Sequence, residues 1–194
     1  MGHRFQRIVS PVNRPPLTQE EDNMSTPQQT LQAIHDEALR IEEDALYSAR
    51  GHWEAAKPWG HANLMIGIPL TLASAVAGVS AMNDSPKLAT TIAFAVSAGS
   101  ALVTFLAPSQ KQQRHADCGN AYKTLHNQAR IFRLVECTLS KPLDELLEKL
   151  KKLDDTRNTL NAGSPIVPRH AFEAARRGIE AGEADYRADK PLNR

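Results

Sequence analysis

The sequence predicts an all-α protein, in which a two-pass transmembrane helical hairpin joins a cytoplasmic bundle, or coiled coil, of its flanking helices. The first observation is that residues 62–83 and 88–110 carry no charged side chain and are separated only by the turn 84–87. At about 1.5 Å per residue, either segment as a helix covers the roughly 30 Å hydrocarbon core of a bilayer. The second observation is that the flanking segments carry apolar residues at helical spacing, and none alternates as a strand does.

A soluble alternative is also open, because both uncharged segments are rich in Ala, Ser, Gly and Thr and are only moderately hydrophobic. Such a hairpin could be the buried centre of a soluble helical bundle. Helices that are apolar on every face belong in large cores or in lipid. A chain of 194 residues offers little to surround two of them. The membrane interpretation is therefore favoured.

The flanking segments, residues 26–57 and 111–187, are predicted to be cytoplasmic helices that pack on each other. The first begins at the start signal Thr26-Pro27 and ends near Lys57, because Pro58 interrupts it. Its apolar stripe needs a partner helix. The stripe consists of Leu31, Ile34, Ala38, Ile41, Ala45, Ser48 and His52. The predicted partner continues to Leu139 and carries Cys118, Tyr122, Leu125, Ala129 and Phe132.

Further helices are predicted towards the C-terminus. One follows Pro142, and the last follows Pro168 and has Tyr186 on its apolar face. Residues 1–25 are predicted to be a disordered leader, since prolines and mixed charges replace the apolar run that a signal peptide needs. Translation could begin at Met1 or at Met24. With residues 188–194 as a polar tail, a single domain spans residues 26–187.

Residues at the ends of the hairpin predict its place in the membrane. Trp53 and Trp59, the only tryptophans, precede the first span, and tryptophan favours the boundary between headgroups and hydrocarbon. They are candidate interface anchors, with ordinary core packing as the alternative. Basic residues are more frequent at the outer ends of the spans than in the turn. The expected location is the inner (cytoplasmic) membrane, with both termini cytoplasmic.

Each span has one polar or small-residue face. The first offers a small face on which helix backbones can approach closely in lipid, and its candidate span-packing residues are Gly67, Thr71, Ser74, Gly78 and Ala81. The second offers a hydroxyl stripe formed by Thr90, Ser97, Ser100 and Thr104. These hydroxyls either bond to the helices themselves or line a polar path between assembled hairpins. Neither span contains an ionisable residue, so a proton relay is not expected.

No motif in the sequence carries catalytic chemistry. The net charge of +1 gives no support for nucleic-acid binding. Cys118 and Cys137 form no CxxC motif, and the seven histidines show no metal-ligand spacing. His35 and His115, each close to an aspartate, are interpreted as solvated surface residues. We therefore expect no enzyme, no cofactor and no metal.

An ordered set of features covers residues 31–186. It comprises Ala45-Leu46-Tyr47 and His52-Trp53 in the first helix, Gly67-Ile68-Pro69-Leu70 and Ala77-Gly78 in the first span, Ala121-Tyr122 and Arg130-Ile131-Phe132 after the hairpin, and Pro165-Ile166-Val167-Pro168 before the last helix. In this order and spacing the chain resembles the SLATT family, the two-transmembrane effector domains associated with prokaryotic nucleotide-signalling defence systems.

The resemblance implies a membrane-embedded effector of antiphage defence. Such a protein would form homo-oligomers in the lipid bilayer and open a pore or disrupt the inner membrane in abortive infection. The signal would come from a separate nucleotide-sensing or nucleotide-synthesising protein, or would bind the cytoplasmic helices directly. The alternative is a passive membrane adaptor or scaffold, or a soluble helical-bundle protein, that recruits a partner through its helices. The sequence does not specify the trigger, the oligomer number or the permeant species.

Overall fold

The computed structural model describes residues 26–83 and 85–186, and helices are its only regular elements. The described residues form α1 (Thr26–Met82), α2 (Pro86–Leu106), α3 (Pro108–Leu134), a short 3-10 helix (Glu136–Thr138), α4 (Leu143–Gly163) and α5 (Arg169–Glu180). This part of the chain contains no strand, so the all-α fold class is confirmed. The predicted leader and polar tail lie outside the described residues, as does Asp84 of the turn.

The first helix runs without interruption from the bundle into the hairpin. Pro58 and Pro69 both lie inside α1, so the prediction that this helix ends near Lys57 is wrong. A helical proline removes one backbone hydrogen bond and crowds the preceding turn. Contacts with α3 on both sides of Pro58 offset that cost, since Trp53 bonds to Asn120 and Trp59 lies under Lys111. With 57 residues, α1 is about 85 Å long and joins the bundle directly to the hairpin.

The second uncharged segment is broken near its end. Helix α2 ends at Leu106, and Ala107 has a left-handed backbone with φ of 44°. The N–H of Ala107 donates to the carbonyl of Val103 and caps α2, and Pro108 then begins α3. The predicted span to Gln110 is therefore too long. The physical reason is that proline disfavours a helical conformation for the residue before it, which makes Pro108 a helix start.

The core lies between the N-terminal half of α1 and α3, and α4 covers it. The two helices pack on each other as their apolar stripes predict, and the cytoplasmic location of the bundle stays a prediction. The buried core residues are Ile34, Ala38, Ile41, Ala45 and Ala49 of α1, Tyr122, Leu125, Ala129 and Phe132 of α3, Cys137, and Leu146, Leu150 and Leu153 of α4.

Two predicted helix ends need correction. Helix α3 ends at Leu134 and leaves Leu139 half exposed beyond the 3-10 helix. Helix α5 ends at Glu180, so Tyr186 lies on the segment that follows the helix and not on its apolar face. Gly182 lies between the end of α5 and Tyr186. Its φ of +82° is a left-handed backbone conformation that residues with a side chain rarely adopt.

Candidate functional site

The apolar hairpin, which we define as residues 62–83 together with α2, lies outside the hydrophobic core. It contributes no residue to the core cluster, and the most apolar stretch of each helix is not buried by the chain itself. Large apolar side chains point outwards from both helices; Phe105, for example, is 86% exposed. The hairpin is therefore not the buried centre of this chain's own bundle.

The two helices of the hairpin meet along a face other than the predicted small face. At Gly99 of α2, an added Cβ would lie 2.5 Å from Cδ1 of Leu70, so these two positions are in close contact. An added Cβ at Gly67 or Gly78 would meet nothing within 4 Å. The remaining small-face residues, Thr71, Ser74 and Ala81, are exposed. Within one chain the small face points away from α2, and its use between copies stays a prediction.

The hydroxyl stripe also points away from the partner helix. Thr90, Ser97, Ser100 and Thr104 are all exposed on α2. The Thr104 hydroxyl donates to the carbonyl oxygen of Ser100 at 2.9 Å, as expected for a hydroxyl inside a helix. A polar path along this stripe would therefore have to form between hairpins of different chains.

The two tryptophans at the base of the hairpin have different surroundings. Trp53 packs into α3, where its Nε1 donates to Oδ1 of Asn120 at 3.3 Å. Gly119 leaves room for the indole, because a Cβ there would lie 2.5 Å from Trp53 Nε1. Trp59 is closer to the hairpin, and the ammonium of Lys111 lies 4.4 Å from the ring centroid. Trp53 is therefore packed against the core. Anchoring at a membrane interface stays a prediction for both tryptophans.

A buried histidine pair lies below the hairpin, where α1 and α3 cross. His52 is 2% exposed and His115 is 7% exposed, and their Nδ1 atoms lie 3.0 Å apart. The interpretation of His115 as a solvated surface residue is therefore wrong. The reason is that His115 lies seven positions before Tyr122, on the same face of α3, and so extends the buried stripe that packs against α1. One Nδ1 must donate and the other must accept, so neutral rings share a single proton at this contact.

Neighbouring groups fix the pair in place and keep it neutral. The ring of Tyr122 stacks on His52 with centroids 5.5 Å apart, and its hydroxyl donates to Oδ1 of Asn161 at 2.8 Å. Burial, with a contribution from His115, lowers the pKa of His52 to about 4. Burial also lowers the pKa of His115, and Arg114 adds to this effect. The predicted apolar stripes identified only one member of this pair, since His52 lay on a predicted stripe and His115 did not.

Metal binding has no support in the described part of the chain. No group of three or more His, Cys, Asp or Glu residues there could hold an ion. The histidine pair has two ligand atoms only, which is fewer than the three protein ligands typical of catalytic zinc. The histidine pair at the base of the hairpin is therefore suited to packing α1 against α3 and to making the stability of the bundle depend on pH.

The described residues define an all-helical protein with two helices long and apolar enough to cross a membrane. No protein-family model, curated protein or solved structure matches the chain. The resemblance to the SLATT family therefore stays a prediction. Function has to be argued from the hairpin and the bundle that carries it.

The contact between Leu70 and Gly99 leads to a first testable expectation. Gly99→Leu should loosen α2 from α1, because overpacking of a tight contact typically costs about 1–3 kcal/mol. Hydrogen exchange of α2 peptides, measured by mass spectrometry in mild detergent, should become faster.

Gly78→Leu is the matched control, since it adds the same side chain to a face with nothing within 4 Å. It should leave exchange in α2 unchanged. If the small face joins copies of the chain, this variant should instead reduce the oligomer seen by crosslinking in membranes. Equal acceleration of exchange in both variants would contradict the assigned contact.

Proposed function

We propose that the chain inserts its hairpin into the inner membrane and acts as an effector whose assembled copies breach that membrane. The observation that carries this proposal is that both apolar helices are long enough to cross a bilayer and that no residue in their most apolar stretches is buried within the chain. Transfer of apolar surface out of water contributes about 25 cal/mol per Å². A contiguous apolar surface of this kind is typical of a membrane or protein contact.

The proposed orientation places the bundle and both termini in the cytoplasm. Because α1 enters the hairpin directly from the bundle and α3 returns into it, the bundle lies at one end of the hairpin. Arg50, Lys57, Lys111 and Arg114 flank that end, whereas the turn has Lys87 beside Asp84. Basic residues favour the cytoplasmic side.

Assembly is part of the proposal because one hairpin encloses no path. Its two helices contact each other at Leu70 and Gly99, while the small face and the hydroxyl stripe both point outwards. Several copies would place these faces against one another. Since the spans lack ionisable residues, the expected breach is nonselective. By its resemblance to the SLATT family, we propose a role in antiphage defence, triggered through a separate nucleotide-sensing or nucleotide-synthesising protein.

A passive membrane adaptor is the second candidate, and an apolar patch favours it. The patch lies at the end of the bundle away from the hairpin, where about half of each side chain is exposed. Its residues are Ile131, Leu134, Val135 and Leu139. A patch of this kind suits recruitment of another protein. An adaptor would leave the bilayer intact in every state.

Fractionation and vesicle leakage separate these candidates. The full chain should stay with membranes after an alkaline wash, and vesicles containing it should release a trapped dye once it oligomerises. Tight vesicles that contain inserted oligomer would refute the breach and favour the adaptor. Recovery in the soluble fraction would refute membrane insertion itself.

Leakage also tests the hydroxyl stripe. Ser97→Leu should lower the rate of dye release several-fold, because it replaces a hydroxyl by a bulky apolar group at the centre of the proposed path. Ala98→Leu is the matched control, since Ala98 is exposed on α2 but lies off the stripe. Equal rates for the two variants, measured at equal amounts of inserted oligomer, would show that the stripe is structural.

A further inference from the structure

Two exposed cations lie directly below the apolar hairpin, near the start of α3. Lys111 and Arg114 are three positions apart, so they share one face of the helix. Among the described residues, neither of them pairs with a carboxylate, whereas Lys57 of the neighbouring helix pairs with Glu54. Both positive charges of α3 are therefore available to a partner outside the chain.

The ionisable residues at this level have a positive balance. We define the basic collar as residues 53–61 of α1 and 108–114 of α3, which lie between the histidine pair and the hairpin. Its charged residues are Glu54, Lys57, Lys111 and Arg114. Three cations against one carboxylate give a formal net charge of +2, with histidine counted as neutral. Because Nζ of Lys57 donates to Oε1 of Glu54 at 2.5 Å, the excess charge belongs to α3.

Carboxylates on the far side of the collar from the hairpin are held by other residues. Oδ1 of Asp117 accepts from Nε2 of Gln113 at 2.7 Å. Oε2 of Glu183 lies 3.7 Å from Nη1 of Arg50. The positive charge next to the hairpin is therefore not neutralised by these two groups.

Packing of α1 against α3 holds the collar together. An added Cβ at Gly60 would lie 2.8 Å from Nε2 of Gln112, so the two helices are in close contact there. One position earlier on each helix, Nζ of Lys111 lies 4.4 Å from the centroid of the Trp59 ring. The ammonium is thus kept beside an indole, the side chain that favours the boundary between headgroups and hydrocarbon.

The collar lies at the depth of the headgroups when the hairpin spans a bilayer. The headgroup layer is roughly 5–8 Å thick on each side of the hydrocarbon core. At the rise of an α-helix, Trp59 lies roughly 4.5 Å below residue 62, and Lys111 lies roughly 7.5 Å below the end of α2 at Leu106. Arg114 follows one turn later, and long cationic side chains extend towards such a layer.

We propose that the basic collar binds the headgroup of an anionic phospholipid, whose phosphate contacts Lys111 and Arg114. This inference rests on the proposed insertion of the hairpin and adds the class of lipid that lies against it. A phosphate diester is negatively charged and only accepts hydrogen bonds, which suits an ammonium and a guanidinium. A zwitterionic headgroup carries its own cation beside the phosphate, so it should bind more weakly.

Quenching of Trp59 fluorescence in vesicles tests the proposal. The probes are phosphatidylglycerol and phosphatidylcholine with the same doxyl-labelled acyl chain, each added in equal amount to phosphatidylcholine vesicles that contain the full chain. Trp53→Phe leaves Trp59 as the only tryptophan. The anionic probe should occupy the position beside Trp59 about fivefold more than the zwitterionic probe, or better, which is the effect of about one cation near an anionic headgroup.

Charge variants identify the residues responsible. Lys111→Gln combined with Arg114→Gln should make quenching by the two probes equal, because the two unpaired cations are lost. Lys151→Gln combined with Arg177→Gln is the matched control. It also removes one exposed lysine and one exposed arginine, from α4 and α5, and it should leave the preference unchanged.

A second measurement keeps the test decisive if Trp53→Phe does not fold. The unaltered chain is extracted in mild detergent from vesicles made of equal amounts of unlabelled phosphatidylglycerol and phosphatidylcholine. Mass spectrometry of the retained lipid should then show an excess of phosphatidylglycerol, and the Lys111 and Arg114 variant should remove this excess.

The possible outcomes separate this proposal from membrane insertion. Equal quenching by the two probes, or equal retention of the two lipids, would overturn the headgroup site and leave insertion intact. A preference that survives the Lys111 and Arg114 variant would overturn it as well. Loss of the preference in millimolar glycerol 3-phosphate would overturn the assignment of a lipid, since a free phosphate would then occupy the site. Quenching by neither probe would overturn insertion and the headgroup site together.

Discussion

Phe132→Ala should lower the free energy of unfolding of the bundle by about 3–5 kcal/mol, the usual cost of removing a buried phenylalanine. Phe132 is 0% exposed and is among the largest fully buried side chains. It lies in the core with Ile41 and Leu125, so the removed ring would leave a cavity between α1, α3 and α4. Urea titration in mild detergent, followed by tryptophan fluorescence, measures this loss because Trp53 packs against α3.

Phe172→Ala is the matched control. Phe172 is 45% exposed on α5, and its ring centroid lies 6.4 Å from that of Tyr47. Because half of the ring already contacts water, its removal should cost about 1 kcal/mol, close to the value of a single aromatic contact. Similar losses for the two variants would contradict the assignment of the core.

The bundle core could be predicted from the sequence because periodicity reports directly which helix face is buried. Ile34, Ala38 and Ile41 lie on the predicted stripe of α1, and Tyr122 and Phe132 lie on that of its partner; all are buried. The partnership also followed from topology, because a short turn returns the chain to where it began. Apolar burial dominates folding, so a pattern that identifies it is informative.

The two prolines at the hairpin base show where a local rule holds and where tertiary packing overrides it. Pro58 was expected to end a helix, yet α1 continues through it, since packing against α3 on either side outweighs a cost of about 3 kcal/mol. Pro108 was placed inside an uncharged segment, yet it begins α3 after the left-handed Ala107. The local restriction on the residue before proline therefore accounts for Pro108, whereas packing against α3 overrides the local rule at Pro58.

The contact between the two buried histidines could not be predicted from local sequence. His52 and His115 are 63 positions apart in the chain, and nothing local indicates that their Nδ1 atoms meet. Asp117, close to His115, suggested a solvated surface. His126 is also buried, and its Nδ1 meets the carbonyl oxygen of Glu42, 84 positions away in the chain. Such sites depend on how helices are placed, which periodicity does not specify.

Acidification should destabilise the bundle between about pH 6.5 and pH 4. The pKa of His52 is about 4 in the folded chain and near 6.5 when unfolded. Between these values the unfolded chain binds more protons, so stability rises with pH. The neutral His52 makes its full contribution to the free energy of unfolding above about pH 6.5, and this contribution is lost as the pH falls through about 4. The full shift corresponds to about 3 kcal/mol. Partial screening by water reduces it to about 1–2 kcal/mol.

The measurement is the free energy of unfolding by urea at a series of pH values. Carboxylates ordinarily titrate near pH 4, so a slope above pH 5 reports histidines. His52→Gln should flatten that slope, since its amide can still bond to Nδ1 of His115 but does not titrate. His115 and His126 also have lowered pKa values and should retain part of the slope.

His170→Gln is the matched control, because His170 is exposed on α5 and should leave the slope unchanged. A slope that is the same in His52→Gln and in the unaltered chain would contradict the role of the pair. Protonation of both rings would place a donor against a donor across 3.0 Å and break the contact. Since this contact joins α1 to α3 just below the hairpin, acid should loosen the bundle first where it joins the hairpin.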